Sequence, residues 1–249
     1  MMKQLLYAIT LVGLVCIALS ASSNTTSQQL GSLSIEKILR AHNVPRDAPF
    51  LSNWTAEAVR TTHYASDVDA GAPGIFQRKL IVSIEGNSFR REKADPLGVR
   101  EEIDAFDGRT ASHSTSEQGM AVDGTPSDYR RRKAVEVSVH TFGLIPVLKE
   151  LAEHSAKIEY NGRLADLDCF KVRTSLGSWL LYIDSASIIR RLDVGSGRID
   201  FSDYRFVEGV KLPFFESVSI GGRTMHELLF TRIDFNGSPA PFEAAMATK

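Results

Sequence analysis

Between Lys157 and Asp234 the chain alternates short apolar-rich runs with turn pairs, and this rhythm constrains the fold more than any other feature. The turns fall at Asn161-Gly162, Leu176-Gly177, Asp184-Ser185, Gly195-Ser196, Glu208-Gly209 and Gly221-Gly222. A spacing of about 8 to 15 residues suits consecutive antiparallel strands and leaves no room for crossover helices. The runs between them include CFKVRT, SWLLYI, IIRRLD, RIDFSDYRFV, FFESVSI and MHELLFTRIDF. Successive strand residues point to opposite faces, so alternate apolar positions should form rows. Trp179, Leu181 and Ile183 make one row. Phe214, Val218 and Ile220 make a second, interrupted by Glu216, and Met225, Leu229 and Ile233 make a third. A sheet with an apolar face must cover it, either with helices or around a ligand.

The first half of the chain adds more strands and two helical stretches. Phe76 to Glu85 alternates, Gly86-Asn87 offers a turn, and Phe89 to Lys93 can return. Glu101 to Ala105 runs into the turn pair Asp107-Gly108, and Ala111 to Ala121 reads as a weak strand or an exposed loop. In LSIEKILRAHNVPR, Ser34 is placed to cap a helix of about three turns. Ile35, Ile38 and Leu39 recur at helical spacing, and Asn43 and Pro45 end the helix. Residues 127–154 read as mainly helical, with Leu144, Leu148 and Leu151 on one face. Gly143 and Pro146 would interrupt one long helix, so two helices joined near Gly143 are expected. The fold class is therefore α+β: a large curved antiparallel sheet with covering helices.

The N-terminus has the form of an export signal. Lys3 precedes an apolar run from Leu5 to Leu19, and Ala18 and Ser20 occupy the small-residue sites before a cleavage point. This assigns 1–20 to a signal peptide, 21–31 to a polar linker, and 32–245 to a single domain with a helical insert near 128–154. Val15 before Cys16 is not the small residue that a lipidated cysteine requires, so no lipid anchor is expected. Cleavage leaves Cys169 as the one cysteine, which rules out an internal disulfide and fits a bacterial periplasm. The 249 residues are 43% hydrophobic and 24% charged, an ordinary globular composition. A net charge of -1 argues against a nucleic-acid-binding surface.

Motifs that carry chemistry are weak. His226-Glu227-Leu228-Leu229-Phe230 starts like a zinc protease helix but has Phe230 where the second ligand belongs. There is no nucleophile elbow and no phosphate-binding glycine loop. His42, His63, His113, His140 and His154 are scattered without ligand spacing and read as surface or interface histidines. Asp193 to Asp200 reads as a hairpin turn rather than a calcium loop, and Cys169 as a buried structural thiol. No catalytic residue, metal or cofactor is expected. The RRRK run at 130–133 is a local cationic cluster, either a solvated helix face or a contact for anionic lipid headgroups.

The order of elements, and above all residues 199–244, resembles the LolA-like lipoprotein-carrier superfamily. The residues that carry the resemblance are Phe201, Asp203, Tyr204, Val207, Gly209, Val210, Pro213 and Phe214, followed by a glycine turn and a strand ending at Asn236 with Phe242 beyond. Residues 158–174 are similar to the family's strand–turn–strand, although its second glycine is missing. The resemblance implies an unclosed half-barrel whose hydrophobic cavity takes a lipid or an acylated protein chain, in contact with envelope membrane components. On that reading the cavity is lined by Trp179, Leu181, Ile183, Phe201, Phe214, Val218, Met225, Leu229 and Ile233 of the sheet and by Leu144 and Leu148 of the helical insert. Two alternatives stand beside it: an envelope sensor or interaction domain with a packed scaffold, and a hydrolase.

Overall fold

The computed structural model describes residues 35–63, 75–86, 88–106, 111–115, 119–123, 144–153, 156–174 and 177–235. The expected export signal and linker, and the RRRK cluster, lie outside them. Helix α1 covers 35–41 and ends where the sequence sets Asn43, whose φ of 55° is left-handed. Val44 N donates to Leu39 O (2.8 Å) and Asn43 N to Arg40 O (3.0 Å), the paired bonds of a glycine-type helix stop built on asparagine. A 3-10 turn, Pro49–Ser52, leads into the first strand.

Six strands follow: β1 (Asn53–His63), β2 (Ile75–Glu85), β3 (Ser88–Ala94), β4 (Arg100–Phe106), β5 (Ala111–Thr115) and β6 (Gly119–Asp123). Helix α2 (Leu144–Ala152) separates them from β7 (Lys157–Leu164), β8 (Leu167–Thr174), β9 (Gly177–Ile183), β10 (Ile189–Val194), β11 (Gly197–Val207), β12 (Val210–Ile220) and β13 (Arg223–Phe235). All belong to one 13-stranded sheet in the order β6-β5-β4-β3-β2-β1-β13-β12-β11-β10-β9-β8-β7. Two local meanders are thus sewn together by the pairing of β1 with β13, from Trp54 opposite Phe235 to Thr62 opposite His226. The sheet is open, with β6 and β7 as its edges, and register shifts in several ladders bend it. This is the large α+β antiparallel sheet with covering helices expected from the strand rhythm, left open as the resemblance implied.

Two local expectations change. Asn161-Gly162 is not the β7–β8 turn; that turn is at Ala165-Asp166, and Gly162 sits inside β7 beside a register shift. Ala111 to Ala121 contains a hairpin of two short strands, β5 and β6. Pro146 is the third residue of the described part of α2, which is consistent with a helix beyond the expected joint near Gly143. Residues 124–143, where a preceding helix was expected, lie outside the described residues.

Both helices pack on one face of the sheet. From α1, Ile38 and Leu39 are buried; from α2, Leu144, Ile145, Val147, Leu148 and Leu151 are buried, all in one cluster with the inward residues of β1, β2 and β7 to β13. Among the described residues no helix is long and apolar enough to cross a membrane.

Candidate ligand-binding face

The helix-bearing face can be traced residue by residue, because directly opposed residues in neighbouring strands share a face. In β1 it carries Trp54, Ala56 and Ala58, which are buried, then Arg60 and Thr62. Opposite them in β2 stand Ile84, Val82, Leu80, Arg78 and Phe76. The next strand adds Phe89, Arg91 and Lys93. The same face is therefore apolar in the middle of the sheet and cationic toward the far end of β1 and β2.

The apolar part holds most of the expected cavity residues. Trp179, Leu181, Ile183, Phe201, Phe214, Val218 and Ile233 are buried, and they share one cluster with Leu144 and Leu148 of α2. Met225 and Leu229 do not join them: they are 38% and 47% exposed. The cause is a pair of bulges in β13. Val218 opposes His226 and Ser219 opposes Thr224, which leaves Met225 as an extra residue. On the other side, Ala58 opposes Phe230 and Glu57 opposes Arg232, which makes Thr231 extra. Each bulge shifts the inward phase, so His226, Leu228 and Phe230 face inward before Thr231, and Ile233 and Phe235 after it. Ile220, at the end of β12, is also exposed.

The described part of α2 packs closely on this apolar floor. The space bounded by Leu144, Ile145, Leu212, Glu216, Phe230 and Ile233 amounts to about 10 Å3, room for a single water at most. The carboxylate of Glu216 stands in this wall at 2% exposure.

Beyond α2's reach the face opens into a trough of about 470 Å3, lined by Arg60, Thr62, Phe76, Arg78, Lys93 and Glu101. A bulge at the start of β4 brings Glu101 here: Lys93 opposes Glu102 and Ala94 opposes Arg100, so Glu101 is the extra residue. Arg78 Nε lies 2.5 Å from Glu101 Oε2, and Lys93 Nζ 2.9 Å from Glu102 Oε2. Glu102 also meets Arg91 at 3.2 Å, and Arg91 pairs with Asp104, which is 1% exposed. Arg60 Nη2 lies 3.5 Å from His226 Nδ1. Phe76 is 49% exposed at the mouth. The trough thus combines fixed positive charge with an apolar wall. Sequence reasoning missed it, since its residues come from four strands and no local motif joins them.

The remaining polar residues have structural roles. His42 is fully buried rather than superficial, and its ring ties α1 to β10 and β12. His226 and Glu227 point to opposite faces of a strand, and Glu227 pairs with His63 at 3.2 Å, so the two cannot serve one metal as they would on a helix. Among the described residues no group of three or more His, Cys, Asp or Glu side chains could hold a metal ion. Cys169 is buried, with Asn161 Nδ2 at 3.7 Å from its sulfur.

No family model matches the sequence, and no curated protein matches it. Solved structures do match by shape. A LolA superfamily protein of Nitrosomonas europaea is similar over 82% of this chain and 94% of its own, with a TM-score of 0.51 and 11% identity. The fold is like that of this LolA superfamily protein. A DUF1329 family protein of Desulfovibrio piger is similar over 84% of this chain and 93% of its own, with a TM-score of 0.51 and 10% identity. The likeness covers 82% of this chain, well beyond residues 199–244, where the sequence resemblance is concentrated.

Proposed function

We propose that this chain is an exported periplasmic protein that binds a lipid or an acylated protein chain on the helix-bearing face of its half-barrel, without chemically changing it. The observation that carries this reading is the polarity of that face: an apolar floor under α2 runs directly into an open cationic trough. An amphiphile has the same two-part character. Each methylene buried contributes about 0.8 kcal/mol, so an acyl chain gains most of its affinity from area alone. The LolA-like fold supports the reading. The N-terminal stretch read as an export signal supports the periplasmic location.

Among the described residues the floor beneath α2 is closely packed, so a chain bound there requires α2 to give way. What holds α2 is mainly apolar contact, from Leu144, Val147, Leu148 and Leu151, and an acyl chain offers the sheet contacts of the same kind. Titration of the delipidated mature protein with a fluorescent fatty acid tests the proposal. Saturable binding with loss of α2 protection in hydrogen exchange is expected; no binding at all would overturn it.

A second reading is favoured by the 10 Å3 space under α2: a packed envelope scaffold that recognises a partner through its surface. In that case the fatty acid would leave α2 protection unchanged.

A further inference from the structure

We infer that the trough beside the apolar floor is a subsite for a negatively charged headgroup, so that the ligand is an anionic amphiphile rather than a neutral or zwitterionic one. The inference rests on the lipid-binding reading above and adds the chemistry of the ligand's polar end.

Three cationic side chains converge on the trough from three neighbouring strands: Arg60 from β1, Arg78 from β2 and Lys93 from β3. One acid, Glu101, lines it with them and pairs with Arg78 at 2.5 Å. The second acid nearby, Glu102, is shared between Lys93 and Arg91. The lining itself is therefore cation-rich in a chain whose net charge is only -1. Guanidinium groups suit planar or tetrahedral oxyanions, because they donate paired hydrogen bonds in a fixed fork.

The volume, about 470 Å3, is in the range of small-ligand sites and exceeds what one small ion fills. Phe76, 49% exposed, gives the mouth an apolar wall. Leu97 and Val99, in the β3–β4 turn at the same end of the sheet, are 91% and 62% exposed. A free anion has no use for these apolar groups; an amphiphile entering from a lipid phase does.

The geometry also fixes orientation. Arg60 continues the Trp54, Ala56, Ala58 row on β1, and Arg78 continues the Val82, Leu80 row on β2. A headgroup held by these cations would point its chain along the rows toward α2.

The test uses the full mature chain, delipidated, with two lysophospholipids of identical acyl chain below their micelle concentrations: lysophosphatidylglycerol, which is anionic, and lysophosphatidylcholine, which is zwitterionic. Calorimetric titration should give about ten-fold tighter binding of the anionic lipid at low salt, and the gap should narrow as salt rises. The variant Arg78→Gln with Lys93→Gln should bring the two lipids within about two-fold, whereas Arg198→Gln, an exposed cation on β11, should keep the gap. A circular dichroism melt unchanged from the parent shows that the trough variant is folded; if it melts lower, Lys93→Gln alone gives the same comparison. Equal binding of the two lipids by the parent protein would overturn the headgroup inference and leave the lipid-binding reading standing. No binding of either lipid would overturn both. Displacement of the anionic lipid by inorganic phosphate at matching affinity would assign the trough to a free anion and overturn the amphiphile.

Discussion

His42 Nδ1 lies 2.7 Å from the carbonyl oxygen of Lys211, a bond that spans 169 residues of sequence. On the other side of the ring, the Ile189 amide donates to Nε2 at 3.2 Å. Nε2 must therefore be unprotonated, and Nδ1 carries the hydrogen that Lys211 accepts. The Lys211 amide returns a bond to His42 O at 2.9 Å, and Tyr204 lies against the ring at 5.8 Å between centroids. One neutral imidazole thus anchors the end of α1 to two strands.

Burial is the largest influence on this ring and pushes its pKa down to about 4, from 6.5, against the opposing pull of the Lys211 carbonyl. The unfolded chain takes up the proton near 6.5, whereas the folded chain resists it until about 4, so the unfolded state binds more protons across that window. Stability should therefore fall as pH drops from 6.5 toward 4, by about 3 kcal/mol in all from this group. Urea denaturation at stepped pH checks this. The His42→Gln variant should show a shallower slope through the same window, and a parent-like slope would assign the effect elsewhere.

The β11–β12 hairpin turns on Glu208 and Gly209, with φ of 47° and 88°, and Asn43 Nδ2 donates to Gly209 O at 2.7 Å. A Cβ on Gly209 would stand 3.5 Å from that amide nitrogen, which space permits and the backbone angle does not. Gly209→Ala is expected to lower stability by about 1 kcal/mol, and Gly209→Asn by less, because asparagine tolerates the left-handed region. A reversed order in denaturant midpoints would refute the strain argument.

Asp104, buried on β4, pairs with Arg91, which also meets Glu102. Asp104→Leu alone strands part of the guanidinium in a buried setting and should cost about 3 kcal/mol. Adding Arg91→Met removes the stranded charge, and the double variant should recover most of the loss. Thermal unfolding of the two single variants and the double variant decides the point; simple additivity would mean that the pair is not coupled.

Leu148, fully buried in α2, bears on the opening of the floor. Leu148→Ala should lower stability by about 2 to 5 kcal/mol as a core truncation. If α2 must yield to a chain, the same variant should also bind the fluorescent fatty acid faster, as stopped-flow mixing would show. A slower or unchanged rate would separate α2 from ligand entry.

The sheet was legible because hydrophobic alternation and glycine turns are local signals, and from Leu167 to Phe235 the expected strands are present. Asn161-Gly162 misled because the same dipeptide serves a turn or a bulge, and the choice depends on the partner strand. Met225 and Leu229 misled for a related reason. A four-residue spacing keeps one face only while the ladder is regular, and the two bulges of β13 are set by β1 and β12, not by β13 alone. The trough and the His42 anchor were not legible at all. Arg60, Arg78 and Lys93 meet only through register, and His42 looks like any histidine after a helix until Lys211 and Ile189 fold over it.

The seam between β1 and β13 has a consequence for synthesis at the ribosome. Every other ladder joins strands that are neighbours in sequence, so hairpins can zip as they emerge, but β1 waits for almost the last described residues before Trp54 meets Phe235. Until then the nascent protein displays bare backbone along β1 and, later, along β12, and a chain cut short before β13 keeps both. Such fragments should be sticky toward chaperones and toward one another, which makes the final strand the step that renders this molecule safe to release.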